Sequence, residues 1–293
     1  SSWDSAPEIA ILGVPSDEGV QRNKGRIGAR TAPTEIRRAL YRLTPYSLRS
    51  EPARSLETLR ILDCGDIMLG ATLEETHERL TEVIAFLVSH QVIPIVLGGG
   101  HDISYPNFCG YAQTLSHAGL INIDTHLDFR PAVPYHHSGS SFRLILDTLQ
   151  SSIAPRNMVE FGIQPFANVQ AHYIEMQQRG AIIMTLPNIR KHGIAVSMLQ
   201  ALRYAGNSTQ GIMVSIDMDA VRSSDAPGVS APSPTGFMAE ELLEAVFLAS
   251  KDSRVGLIDI VEVNPQYDID GRTAKLAALV VMYILQGFVE RSA

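Results

Sequence analysis

The chain has 293 residues, 45% of them hydrophobic, with 24 Lys plus Arg against 31 Asp plus Glu and a formal charge of −7. That length and apolar share suit one large α/β domain spanning residues 1–293, and the moderate acidity argues against a generic nucleic-acid surface. Two cysteines, Cys64 and Cys109, are too few for a disulfide framework and have no metal-type spacing, and no apolar run approaches the ~20 residues needed to cross a bilayer, which leaves cytoplasm as the default compartment.

The first residues, SSWDSAPE, lack the basic and apolar regions of a secretory signal. Residues 8–14 (EIAILGV) predict the first strand, closed by Pro15. The polar stretch 16–33 that follows carries three glycines and several cations, among them Arg22, and Asn23. On composition it is a solvated surface loop; on topology it lies at the carboxyl end of strand one, the rim where ligands bind in open α/β sheets. A helix is expected from about residue 34, and residues 59–67 (LRILDCGDI) read as a strand with an edge position open to it. Apolar residues at helical spacing predict a core-facing helix over 72–90. Residues 92–97 then form a strand that runs through three glycines into His101 and Asp102. Strand, helix and strand in that order are the unit of a parallel sheet.

A helix over 104–116, with Pro106 in its first turn, leads to INIDTHLDFR at 121–130. There a β-type run ends in Asp124, His126 and Asp128, which an extended segment would place on one face. Residues 129–142 are a loop rich in Pro and Ser, and 143–150 resume as a helix. Further on, 158–163 and 181–184 read as strands, and 167–179 and 196–205 as helices. The strand GIMVSIDMD at 211–219 delivers Asp217 and Asp219. A rim loop over 220–234 precedes a helix from near residue 239, and 255–263 is the last clear strand, bringing Glu262 to its end. Residues 273–287 read as an apolar helix packed on the sheet, with too short a run to span a membrane.

Three strand ends thus offer one His, then one His with two Asp, then two Asp. Buried carboxylates this close are tolerable only if protonated or if cations sit among them. Four carboxylates and two imidazoles exceed what one small divalent ion takes, whereas two ions bridged by shared aspartates would use them all. With no Cys in the set, a structural zinc site is disfavoured; the oxygen and imidazole mixture suits Mn²⁺, and Fe²⁺, Co²⁺ and Zn²⁺ are compatible. For Glu262, a carboxylate at a buried strand end either pairs with an internal Arg or accepts a cationic substrate head.

LGGGHD, IDTHLDFR and SIDMD resemble the three metal signatures of the ureohydrolases, the arginase and agmatinase superfamily. The resemblance implies a three-layer α/β/α fold with a central, mostly parallel sheet, and hydrolysis of guanidino or amidino carbon–nitrogen bonds at two Mn²⁺ per subunit. It further implies that His101, Asp124, Asp128 and Asp217 hold one ion and His126, Asp124, Asp217 and Asp219 the other. The loop DEGVQRNKGRIGA and the pattern of Ser138, Gly139, Phe142 and Arg143 resemble formimidoylglutamases in particular. Arginases and agmatinases have a proton-moving histidine where this chain has Ser138, so His136 or His137 is a substitute proton carrier to weigh against two exposed loop histidines. The EVNP setting of Glu262 resembles that of the superfamily's guanidinium-binding glutamate.

The resemblance therefore implies hydrolysis of N-formimidoyl-L-glutamate to L-glutamate and formamide, a reaction of histidine degradation. Two ions sharing a bridging oxygen would make hydroxide available near neutral pH, Asp128 would aim it and relay the proton, and Glu262 would hold the amidinium. The substrate's two carboxylates call for arginine, with Arg22, Arg130 and Arg143 as candidates and Asn23 as a polar helper. The alternatives are another ureohydrolase acting on a guanidino substrate and a non-catalytic metal-binding homologue. Small-molecule chemistry with no nucleic acid or membrane partner is expected, in a homo-oligomer, as is common in the superfamily.

Overall fold

In a computed structural model, which describes residues 7–45 and 56–291, eight strands form a single sheet in the order β2-β1-β3-β8-β7-β4-β5-β6, every neighbouring pair parallel. Residues 1–6, most of the stretch read against a secretory signal, lie outside the described residues. In chain order the elements are β1 (Ile9–Gly13), α1 (Glu18–Arg22), α2 (Ala32–Leu40), β2 (Ile61–Asp66), α3 (Leu73–Ser89), β3 (Ile93–Leu97), α4 (Ser104–Ala112), β4 (Ala118–Ile123), α5 (Ser141–Thr148), β5 (Met158–Ile163), α6 (Gln170–Arg179), β6 (Ile182–Thr185), α7 (Leu186–His192), α8 (Ile194–Ala205), β7 (Gly211–Asp217), α9 (Ala239–Lys251), β8 (Val255–Val261) and α10 (Arg272–Val289).

Both faces of the sheet are covered, so most central strands read as apolar runs. On one face Ile121, Ile123, Val214 and Ile258 pack with side chains of α2, α7, α8, α9 and α10. On the other Leu120, Met213 and Leu257 pack with α3, α4, α5 and α6. These two cores and the sheet between them are the three layers expected. Strand β2 takes an edge position. Helix α10 corrects one expectation: its 18 residues satisfy the length and apolarity of a membrane span, yet 72% of them are buried inside this fold, as in a core helix.

Two helices were not legible. Helix α1 sits inside the polar stretch after β1 and is only one turn and a half long, with Glu18 paired to Arg22 one turn on (2.7 Å). Helix α7 begins with Pro187 in its first turn, where proline is tolerated because its missing N–H would have no partner there anyway. Strand β8 ends at Val261, earlier than the apolar run suggests, because Glu262 turns the chain with φ 64°.

The glycine run after β3 has a steric cause at its centre. A Cβ on Gly99 would stand 1.6 Å from the backbone oxygen of Ser16, so only glycine lets this turn stack on the exit from β1. That close approach brings the polar stretch after β1 to the same rim as His101. Asn264 then pins it by donating to the carbonyls of Arg26 (2.9 Å) and Ile27 (3.1 Å), while Asp17 accepts from Gly28 N (2.7 Å). The stretch is a fixed wall, where composition alone predicted a solvated loop.

Candidate metal centre and substrate cavity

Parallel order places the carboxyl ends of β3, β4, β7 and β8 side by side, and the predicted ligand residues meet there. His101 Nδ1 lies 2.9 Å from Asp128 Oδ2, 3.0 Å from Asp217 Oδ2 and 3.4 Å from Asp124 Oδ2. His126 Nδ1 lies 3.2 Å from Asp219 Oδ2 and 3.5 Å from Asp124 Oδ1. The atoms fall into two metal-sized sets, His101 with Asp124, Asp128 and Asp217, and Asp124 with His126 and Asp219. Asp124 belongs to both.

The route by which they converge differs from the extended face expected. Residue 124 follows the last residue of β4, and Asp124 Oδ1 captures the backbone N–H of His126 (2.7 Å). Asp217 Oδ1 captures that of Asp219 in the same way (2.7 Å). A side-chain oxygen that accepts from the amide two residues on folds the chain into a turn, so the ligands gather by bending instead of by pleat. Asn168 clamps the first turn, accepting from Leu127 N (2.8 Å) and donating to Thr125 O (2.9 Å). Asp128 itself has φ 41°, and Glu262 φ 64°. Left-handed backbone at a non-glycine residue costs about 1–3 kcal/mol, so two carboxylates of the site are held against local preference.

A second tier of polar residues lies beneath. Asp259, Ser215, Asn122 and Glu160 are in register across β8, β7, β4 and β5, all fully buried in otherwise apolar strands. Ser215 Oγ contacts His101 Nε2 at 2.9 Å and donates to Asp259 Oδ1 at 2.6 Å. Ser104 and Asn107 of α4 donate to the other oxygen of Asp259, each at 2.9 Å. A proton on Nε2 turns the Nδ1 lone pair toward the carboxylates, the arrangement of a metal-ligating histidine with a backing acceptor. Sequence reasoning passed over this tier, although its signal was present: one polar residue interrupts each of four apolar strands.

The electrostatics match a site built for cations. Burial alone would depress His101, but the carboxylates of Asp124, Asp128 and Asp217 outweigh it and hold its pKa well above the ordinary histidine value. The charge of Asp219, with Asp124 behind it, raises His126 to about 12. Burial, reinforced by neighbouring carboxylates, pushes Asp217 well up and Asp219 to about 7. Burial beside like charges penalises the ionised form of both carboxylates, a penalty that cations among them would offset. Meanwhile His101 Nδ1, close to three carboxylates, is aligned for a hydrogen bond with none, and Asp219 Oδ1 also has no partner. An orphaned buried atom in each of the two sets fits divalent ions, which bind deprotonated ligands.

Beside this cluster opens a cavity of about 70 Å³. Asp128, His126 and Glu262 are on its lining together with Asn23, Arg130, Ser138 and Ser230. Glu262 Oε1 accepts from His101 N (2.9 Å), and burial followed by the charge of Asp217 raises its pKa well above the ordinary value, the setting a cationic ligand would relieve. Arg130 Nη1 donates to Asn23 Oδ1 (2.9 Å), and Asn23 Nδ2 donates to Ser138 Oγ (3.0 Å), joining the two rim segments. Ser230, which also accepts from Arg26 N (2.9 Å), was not singled out from the sequence.

Two of the arginines expected at the substrate have carboxylate partners and do not line this cavity. Arg143 is held by Glu175 (2.6 Å and 2.8 Å) and by Phe129 O (3.0 Å), with its guanidinium 4.2 Å from the Phe129 ring centre. Arg22 is held by Glu18 (2.7 Å) and Glu74. Neither lines the cavity, and neither do His136 and His137. His136 opens onto a separate hollow of about 450 Å³ between α3 and α4, where burial, with His77 beside it, lowers its pKa to about 3. His137 Nδ1 accepts from Gly139 N (3.2 Å) and its Nε2 lies 3.2 Å from Pro131 O.

Comparison with known proteins agrees with this geometry. The model of the Arginase family matches residues 7–286. A formimidoylglutamase of Hahella chejuensis is 34% identical over 284 residues, covering 94% of this chain and 84% of its own. The structure of Trypanosoma cruzi formiminoglutamase with Mn²⁺ superposes with a TM-score of 0.93 at 33% identity, over 100% of this chain and 97% of that one. Formimidoylglutamase from Bacillus subtilis gives 0.91 at 30%, over 100% and 91%. The chain belongs to the arginase family and is a hydrolase of carbon–nitrogen bonds in amidine or guanidino groups.

Proposed function

We propose that this chain hydrolyses N-formimidoyl-L-glutamate to L-glutamate and formamide, with His101, Asp124, Asp128, Asp217, His126 and Asp219 holding two Mn²⁺. The observation that carries the choice of substrate is the match to formimidoylglutamases along nearly the whole chain, 94% for the Hahella chejuensis relative. The choice of metal is supported by the Trypanosoma cruzi formiminoglutamase structures, which contain Mn²⁺. When bound, such a pair of ions provides Lewis acidity that makes hydroxide available near neutral pH.

The residues of the chain supply the rest. Glu262, with one oxygen occupied by His101 N–H, keeps the other for the amidinium and sets its carbon beside the cluster. Asp128 lines the cavity and is positioned to take the proton from the attacking water and hand it to the departing glutamate nitrogen. The bond from the amidine carbon to that nitrogen breaks, and the water oxygen becomes the formamide carbonyl. Arg130, with Asn23, Ser138 and Ser230, faces the glutamate carboxylates; the Arg143 and Arg22 guanidinium groups already have carboxylate partners and serve the wall. With Ser138 in place of a histidine, the imidazole on the cavity is His126, which the proposed metal set takes up, and this suits a reaction whose proton transfers run through Asp128.

The test is to load the protein with Mn²⁺ and offer N-formimidoylglutamate, arginine, agmatine and guanidinobutyrate in parallel. Equimolar formamide and glutamate from the first, with little urea from the others, is the expected result. Urea from a guanidino compound, without formamide, would overturn the assignment.

A further inference from the structure

The backing of the second-tier row serves two masters. Its Ser215 and Asp259 half reaches His101, as described. Its other half, Asn122 and Glu160, reaches Asp124, the residue common to both ligand sets. Asn122 Nδ2 has two hydrogens and two acceptors, Glu160 Oε2 at 2.8 Å and Asp124 Oδ2 at 3.3 Å. That accounts for the amide nitrogen. It leaves Asn122 Oδ1 and Glu160 Oε1 buried with no hydrogen-bond partner.

Two orphaned acceptors on side chains already joined by a hydrogen bond are a specific defect. Each unsatisfied buried polar atom bears the full desolvation penalty of its group with no bond to offset it. A single proton on the Glu160 carboxyl would satisfy both orphans: the acid O–H would donate to Asn122 Oδ1 while Asn122 Nδ2–H donates to the acid's other oxygen, closing a cyclic acid–amide pair. No Lys or Arg is paired with Glu160 among the described residues, and an ionised Glu160 would add another negative charge beneath a cluster already crowded with carboxylates.

We propose that Glu160 is a positioning residue which, as a neutral carboxylic acid, locks the Asn122 carboxamide and through it fixes the orientation of Asp124 toward the metals. Its burial is the main cause of a pKa well above the ordinary glutamate value, in line with the geometry. Without the lock the Asn122 amide is free to rotate its oxygen toward Asp124, where it would repel the carboxylate it now steadies. The inference rests on the proposed metal site but adds to it a pair of residues that touch neither metal nor substrate.

The experiment compares wild type, Glu160→Gln and Glu160→Leu by Mn²⁺ titration calorimetry, after circular dichroism has established that each variant is folded. Glutamine offers the same donor and acceptor as the neutral acid, so Glu160→Gln is expected to keep both Mn²⁺ affinities within about threefold. Glu160→Leu is expected to weaken them by about 10–100-fold, the usual cost of losing an outer partner of a ligand. Infrared difference spectra of Mn²⁺-loaded wild type against Glu160→Gln are expected to contain the carbonyl band of one protonated carboxyl near neutral pH, a readout that stands even if the leucine variant does not fold. Equal affinities in wild type and Glu160→Leu, a glutamine variant as weak as the leucine one, or no such infrared band would each overturn the proposal while leaving the proposed reaction intact. Failure of wild type itself to bind Mn²⁺ would bring down the metal reading, and this inference with it.

Discussion

The two ligand sets differ in how they are held. His101 is fully buried, its Nε2 backed by Ser215 and Asp259, its backbone N–H tied to Glu262. The His126 side chain is 23% exposed, lines the cavity, and depends on the turn clamped by Asn168. One half is built into the sheet and the other into the loops above it. An enzyme that must both retain a metal and admit a substrate can divide the work this way: the inner half is preorganised, and the outer half takes the reactant's approach.

Asp124 is the residue at which the division should fail altogether, since it serves both sets. Asp124→Ala is expected to lose both ions and to lower kcat/KM by more than ~100-fold, beyond what loss of an outer partner costs. Metal content by elemental analysis, with formamide release, checks it; retention of two tightly held ions would mean that Asp124 is not shared.

The next test separates the halves. His126→Asn is expected to leave one ion tightly bound and remove the other, whereas Ser215→Ala is expected to weaken the inner ion by ~10-fold or more with little change at the outer one. In wild type, graded chelation should then release the metals in two steps, the outer first. A single cooperative release, with both variants losing both ions, would erase the distinction between the halves.

How much of this could be read in advance follows the same line. Ligands at strand ends were legible because β3, β4 and β7 are mainly apolar runs with an acidic or imidazole residue at or shortly after their ends, a purely local signal. Edge strand β2 and the core-facing pattern of α3 were legible for the same reason. The inner tier was missed because Asn122, Glu160, Ser215 and Asp259 acquire meaning only when four strands fall into register, which is non-local information. Glu175, which takes up Arg143, lies 32 residues from it in sequence, and nothing near Arg143 announces the pairing. Helix α7 was hidden by Pro187, a residue that reads as a breaker unless its position in the first turn is known.

The outer half also includes the rim, where Arg130 faces the cavity. Its replacement by alanine is expected to raise KM for N-formimidoylglutamate by ~10–100-fold, the worth of about 1.5–3 kcal/mol for a charge-assisted hydrogen bond to a carboxylate, with kcat much less affected. An unchanged KM would move the carboxylate subsite away from Arg130.

Arg143 is the control that sharpens this last point, because it is an arginine at the same rim with a structural partner. Arg143→Ala is expected to leave KM nearly unmoved and to cost stability instead. The Arg143 guanidinium is the first cause of the depression of Glu175 to about 2 from an ordinary value of 4.5. A depressed carboxylate stabilises the fold fully above its unfolded pKa and loses that contribution as pH falls through its folded one. The gap in Tm between wild type and Arg143→Ala should therefore be steady above about pH 4.5 and narrow as the pH is lowered toward 2. Since Glu175 is 37% exposed, solvent screening keeps the ion-pair share of that gap below about 1 kcal/mol, and the contact with Phe129 supplies a part that pH does not remove. A gap that widened on acidification would mean that the pair does not form, and would return Arg143 to the substrate's side of the wall.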